Sequence, residues 1–331
     1  MPVLGSAVRV ALYDEVTYAV SSGLTLGMLA YYVECGLAAS RNAVQSNVIS
    51  MDRSRSLPGL GNLDLSGPFK VELAPQDVGV YLRHILGAPV TVGASAPYTH
   101  TFRPSTLPVG LLVEKNWVTA GITSKVEHFL GGKVAEATFD FPQEGAATLS
   151  MTIQGSKYTI AAAPLDATLA DPGHTGWFAP DVSINIGGAA CLIAKSASIK
   201  ISNNLQTDRY ALGTGGLRVD MPEGFADVSG SVTVIVDTTL FSGFIDKAQA
   251  RTDTALEVIC TFGAGTGASA GNEKLSIKLD HAIIDLTSVP INSPAGVEVS
   301  FNFTGYKSGG TDKGLVAVLL SPLANTLIAA T

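Results

Sequence analysis

Strict two-residue alternation of apolar and polar side chains is the feature that most constrains this chain. Leu149, Met151 and Ile153 alternate with Ser150, Thr152 and Gln154, and Ala197, Ile199 and Ile201 with Ser198, Lys200 and Ser202. The same pattern runs through Leu275–Asp280 and Val297–Thr304. Successive side chains of an extended strand point to opposite faces, so such runs bury one face and leave the other to water, a partner or a lumen. Helical periodicity is scarce. Pro75–Leu86 and Leu240–Ala250 are the two candidates for short helices, the first with Val78, Tyr81, Leu82 and Ile85 on one face. The expected class is mainly β.

The two halves of the chain resemble each other. Gly61-Asn-Leu-Asp-Leu-Ser-Gly67 reappears as Gly224-Phe-Ala-Asp-Val-Ser-Gly230, 163 residues further on. Each copy runs into an alternating strand, Phe69/Val71/Leu73 in the first and Val232/Val234/Val236 in the second, and then into a candidate helix. Leu149–Gly155 likewise matches Val299–Gly305 at a spacing of 150 residues. Matches in the same order and context predict an internal duplication. The expected division is an N-terminal arm over 1–45, a first β repeat over 46–175 and a second over 176–331. Gly173–Asp181 is the expected boundary, and each repeat is expected to carry its own core. Two long polar stretches, Asn42–Gly61 and Asn203–Gly224, read as loops with room for contact with a neighbouring subunit.

Composition narrows the function. Charged residues make up 15% of the 331 residues and hydrophobic ones 46%, with a mean hydropathy of +0.31. That is less charge than the ~25% of an ordinary globular chain. Surface hidden by self-association accounts for it. The net charge of −7 and the lack of any basic run beyond Arg53-Ser-Arg55 argue against tight nucleic-acid binding, which needs clustered cations to displace counterions. Cys35, Cys191 and Cys260 are odd in number and far apart, as expected of thiols in a reducing cytoplasm. The N-terminal residues lack the pattern of an export signal, and Gly23–Ala39 is too interrupted to span a bilayer, so no membrane insertion is expected.

Chemistry-bearing motifs are weak. Gly265-Thr-Gly-Ala-Ser-Ala270 fits a dinucleotide fingerprint, but an alternating strand follows where the fingerprint needs a helix, so a hairpin loop is expected. His84, His100, His128, His174 and His281 show no metal-ligand spacing. Asp140/Glu144 and Asp280/Asp285 are sequence neighbours, the arrangement of solvated turns as readily as of a glycosidase pair. No catalytic, cofactor or metal residue is assigned, and no enzyme activity is expected.

Several segments resemble the tail tube (major tail) proteins of long-tailed, non-contractile bacteriophages. They are Ser46–Arg53, Gly61–Gly67, Phe69–Pro75, Tyr81–Gly87, Tyr98–Phe102 with Leu107-Pro108, Phe129–Val134 and Ala197–Asn204. The likeness extends from about Ser46 to Tyr306; residues 1–45 and the apolar stretch Leu315–Ile328 depart from it. It implies a β-sandwich or barrel-like domain with a short flanking helix, here in two tandem copies. Such domains associate into rings whose inner sheets form one barrel around a channel, and the rings stack into the tube through which DNA passes. Two domains per chain predict a trimeric, pseudo-six-fold ring, with a hexamer as the alternative. The resemblance further implies a virion tail protein made in the host cytoplasm, with tape-measure and tail-terminator proteins as partners and DNA as a passing cargo. Other readings of the same pattern are a capsid-decorating β-protein, the tube protein of a contractile system and, with less support, a β-barrel membrane pore.

Overall fold

A computed structural model describes residues 3–49, 51, 53–237, 240–291, 296–309 and 314–324. Strands dominate it. The first half contains β1 (Arg9–Asp14), β2 (Met28–Leu29), β3 (Glu34–Cys35), β4 (Ala38–Val44), β5 (Gly59–Glu72), helix α1 (Val78–Leu86), β6 (Val90–Val92), β7 (Tyr98–Phe102), β8 (Leu111–Asn116), β9 (Val126–Phe141), β10 (Thr148–Gly155) and β11 (Lys157–Ala161). The second contains β12 (Val182–Ile186), β13 (Ala189–Ala190), β14 (Ala194–Ser202), β15 (Asp227–Ile235), a π-helical turn (Phe241–Ile245) leading into α2 (Asp246–Gln249), β16 (Leu256–Thr261), β17 (Lys274–Leu279), β18 (Ala282–Ile284), β19 (Glu298–Gly305) and β20 (Leu315–Ser321). The alternating runs seen in the sequence fall in β10, β14, β17 and β19, and both candidate helices form.

The strands make two antiparallel sheets of thirteen and seven. The main path of the first runs β18-β19-β15-β14-β9-β10-β5-β3, with β4 beside β3 along β5. The sixteen-residue β9 serves both ends of this sheet. Its C-terminal half pairs with β10 and β14, while its N-terminal half pairs with β8 and β11. A register shift near Ala135 separates the two stretches, as a bulge does when it bends a strand between partners. The second sheet runs β13-β12-β16-β17-β20-β7-β6.

The cross-strand registers of the two halves coincide. In β5–β10, Ile153 lies opposite Gly67 and Gly155 opposite Leu65. In β15–β19, Phe303 lies opposite Gly230 and Gly305 opposite Val228. Those pairs keep the two spacings read from the sequence, 163 and 150 residues. Both glycines are needed for close approach. A Cβ on Gly67 would sit 2.3 Å from the Gly36 carbonyl oxygen, and one on Gly230 would sit 2.1 Å from that of Ser198.

The structure departs from several of these readings of the sequence. The core is not divided between two modules. One continuous cluster joins Phe69, Val71, Phe139 and Met151 of the first half to Ile199, Val232, Phe301 and Leu275 of the second. The second sheet is also shared, since β7 of the first half pairs with β20 of the second. Residues 9–14 are no detached arm. They form β1, hydrogen-bonded to β8 along its length, with Val10 and Leu12 buried in the core. Gly173–Asp181 is no exposed linker: Trp177 is fully buried, its backbone nitrogen donates to Leu73 and its carbonyl accepts from Ala147. The stretch Asn42–Gly61 is partly strand, because its ends belong to β4 and β5, which pair antiparallel. The apolar run from Leu315 is the interior strand β20 through Ser321, and its residues 325–328 lie outside the described ones.

Candidate assembly surface

The alternation that buries one side of the first sheet sets a hydroxyl-rich surface on the other. Ser150 and Thr152 of β10, Thr138 and Asp140 of β9, Ser198 and Lys200 of β14, Ser231 and Thr233 of β15, and Ser300 and Asn302 of β19 lie on this side. Its polar groups answer one another. Ser198 Oγ donates to Asp140 at 2.7 Å, and Thr233 and Ser300 share a hydrogen bond of 2.7 Å. Lys200 pairs with Glu136 at 3.0 Å and Lys195 with Glu298 at 2.6 Å, so these lysines do not stand as bare cations. Such a surface has little to hold a phosphate backbone with.

The two ends of the first sheet are open. Among the described residues, β3 and β4 pair only with β5, and β18 pairs only with β19. Asp285, just past β18, still donates its backbone N–H to Asn302 of β19; beyond it residues 286–291 lie in no assigned strand, and Leu286 and Ile291 are exposed. Unpaired strand edges and bare apolar side chains of this kind invite another chain. The long connections carry further bare side chains, Ile49, Met51 and Leu57 on the first and Leu212 and Phe225 on the second. The sequence pointed to those two loops. It did not single out Leu286 and Ile291, although extending the 150-residue spacing past Gly305 back to these positions would have matched them to Glu136 and Phe141.

The chemistry-bearing residues are dispersed. His84 bonds Asp14 at 2.7 Å, His128 bonds Glu114 at 3.1 Å, His174 approaches Glu72 at 3.4 Å and His281 bonds Asp253. His100 lies between Thr91 and the Leu323 carbonyl. No group of three His, Cys, Asp or Glu side chains suited to a metal ion occurs among the described residues. Asp140 accepts from Ser198 while Glu144 is exposed in the following turn, and Asp280 pairs with Lys278 while Asp285 is exposed. Neither pair forms a shared carboxylate site. Gly265–Ala270 lies in the hairpin loop between β16 and β17, with no helix behind it. The thiols of Cys35, Cys191 and Cys260 are free, and burial pushes the pKa of each up, away from a reactive thiolate.

A two-sheet β-protein with open edges, a hydroxyl-lined face and dispersed titratable groups belongs with structural, self-associating proteins. Residues 5–305 match the family model of the phage tail tube protein. The chain belongs to that family, and it is a structural tail tube protein. A search of curated proteins found no match.

Proposed function

We propose that three copies of this chain close into a ring, that rings stack into the phage tail tube, and that DNA passes along its channel. The observation that carries this reading is the strand path of the first sheet. The block β4-β5-β10-β9 is followed by β14-β15-β19-β18, with hydrogen-bonded neighbours in the same order and registers at matching positions. A chain holding two blocks supplies a third of the six-block ring that the family resemblance implies. The blocks descend, on this reading, from one duplicated module, with a first repeat near 46–175 and a second near 176–331 that now share one core.

Closing the sheet on itself removes its exposed edges. The hydroxyl-rich face, where Lys195 and Lys200 are paired with carboxylates, is the side that suits a channel, where a polyanion must slide without sticking. The protein acts as a wall rather than an enzyme. It is made in the host cytoplasm and resides in the virion tail, with tape-measure and tail-terminator proteins meeting the tube along its bore and at its end. Negative-stain electron microscopy of the concentrated protein tests the reading. Rings or stacked tubes are expected; a uniform field of single globular particles at every concentration would overturn it.

A further inference from the structure

Within one chain, β9 and β14 are joined edge to edge, and this seam is a template for the joint between copies. It pairs Ala137 with Ile201, Thr138 with Lys200, Phe139 with Ile199 and Phe141 with Ala197. The two open edges occupy the equivalent positions in the other direction. On one side, β3–β4 stands to β5 as β14 stands to β15. Ala38 lies opposite Ser66 and Lys200 opposite Ser229, where Ser66 and Ser229 belong to the repeated Asp-x-Ser-Gly turn. On the other side, β18 stands to β19 as β9 stands to β10: Ile284 lies opposite Phe303, and Val134 opposite Ile153.

Carrying the seam's register across these equivalences assigns each edge residue a partner. We propose that residues 286–291 of one copy pair antiparallel with Cys35–Ser40 of a second copy, with Ser288 opposite Ala38, Thr287 opposite Ala39, Val289 opposite Leu37 and Ile291 opposite Cys35. The inference rests on the tail-tube reading and specifies its joint.

Side-chain parity agrees with this register. Thr287 and Val289 are half-buried, Val289 against the core, while Leu286 and Ser288 are exposed; on the facing edge Leu37 is buried and Ala39 half-buried, while Ala38 and Ser40 are exposed. A slip by one residue would set core-facing side chains against exposed ones. The clearest sign is at the end of the run. Phe141 is 2% exposed inside the seam, whereas Ile291, its counterpart at the open edge, is 82% exposed. Beside Cys35, the residue assigned to face Ile291, a groove of about 560 Å³ is lined by Val8, Val10, Tyr32, Val33 and Trp117. An isoleucine from a second copy fits that chemistry. One bond must be exchanged on joining: Lys115 Nζ holds the Leu37 carbonyl at 2.7 Å in the single chain.

Disulfide trapping tests the register. Ala38→Cys and Ser288→Cys are introduced together in a Cys35→Ala/Cys191→Ala background, both at exposed positions. Thiols directly opposite in an antiparallel pair are within bridging distance, whereas a displacement of two residues carries them out of it. Mild oxidation of assembled protein is expected to give a closed covalent trimer, and the displaced pair Ala38→Cys/Leu286→Cys is expected to lose that band. Ile291→Asp is a second arm, expected to abolish rings while leaving the single chain folded by circular dichroism. Rings in the micrographs without cross-linking at 38/288, or rings that persist with Asp at 291, would overturn the register and leave the tube reading intact. No rings from the parent chain would overturn the tube reading itself.

Discussion

The two four-strand blocks of the first sheet agree in their backbone crossings and differ in what is packed upon them. Gly67 and Gly230 occupy the same register position and face the carbonyls of Gly36 and Ser198 at nearly the same distance. The first block carries a regular nine-residue helix, α1, packed on β7 and β9. The second carries a π-helical turn followed by four α-helical residues. Two of the buried carboxyls of the first half, Glu15 and Asp77, have their pKa raised by burial. The contrast teaches that strand register in this fold is set by tight glycine crossings, while the layer over the sheet is free to diverge.

The largest expected effect sharpens the difference between a covered and an open edge. Phe139→Ala, at the closed seam with no exposure, should cost about 3–5 kcal/mol. Val289→Ala, its counterpart at the open edge, should cost well under half as much in the single chain. Urea denaturation of both variants measures the ratio, and equal losses would break the correspondence. Next come Gly67→Ala and Gly230→Ala. Each forces a methyl into a neighbouring carbonyl and should cost about 1–3 kcal/mol. If one is silent and the other severe, the two crossings are not equivalent.

The third prediction concerns pH and the first half of the chain. Burial raises the Asp77 carboxyl to about 8 and that of Glu15 to about 7. No side chain of another described residue donates a hydrogen bond to Asp77, whereas Glu15 accepts from the backbone of Ala19 and Gly131. A raised carboxyl binds its proton more tightly in the folded chain than in the unfolded one. Its contribution is therefore fully present below about pH 4 and is lost as pH rises through 7 to 8. Asp77→Asn should raise the Tm at pH 8 and flatten the decline, which calorimetry across pH 4–9 would read. The smallest effect is at the seam's surface. Lys200→Ala removes a half-exposed pair with Glu136 and should change stability by at most about 1 kcal/mol, fading with added salt.

Much of the fold was legible because alternation and glycine turns are local signals. The runs around Leu149, Ile199 and Phe301 fell on strands, and the Asp-x-Ser-Gly part of each repeated segment fell at matching positions of β5 and β15. What could not be read was which distant strands meet. Leu315–Ser321 looked like an apolar tail because its apolar residues run together; it is an inner strand of the second sheet, paired with β17 and β7, and most of its residues are buried. Arg9–Asp14 is similar, with four successive buried residues and partners on β8 that lie 97 to 107 positions away. Self-association was legible as composition, too little charge for a solitary chain, but the joint proposed at Cys35–Ser40 and 286–291 depends on the seam, a pairing between halves that no local pattern encodes.

Cryo-electron microscopy of assembled rings, averaged without imposed symmetry, tests the central claim most directly. Three chains around a channel walled by eight strands from each is the predicted result. Six chains per ring, or a channel wall interrupted between β18 and β4 of adjacent copies, would contradict it.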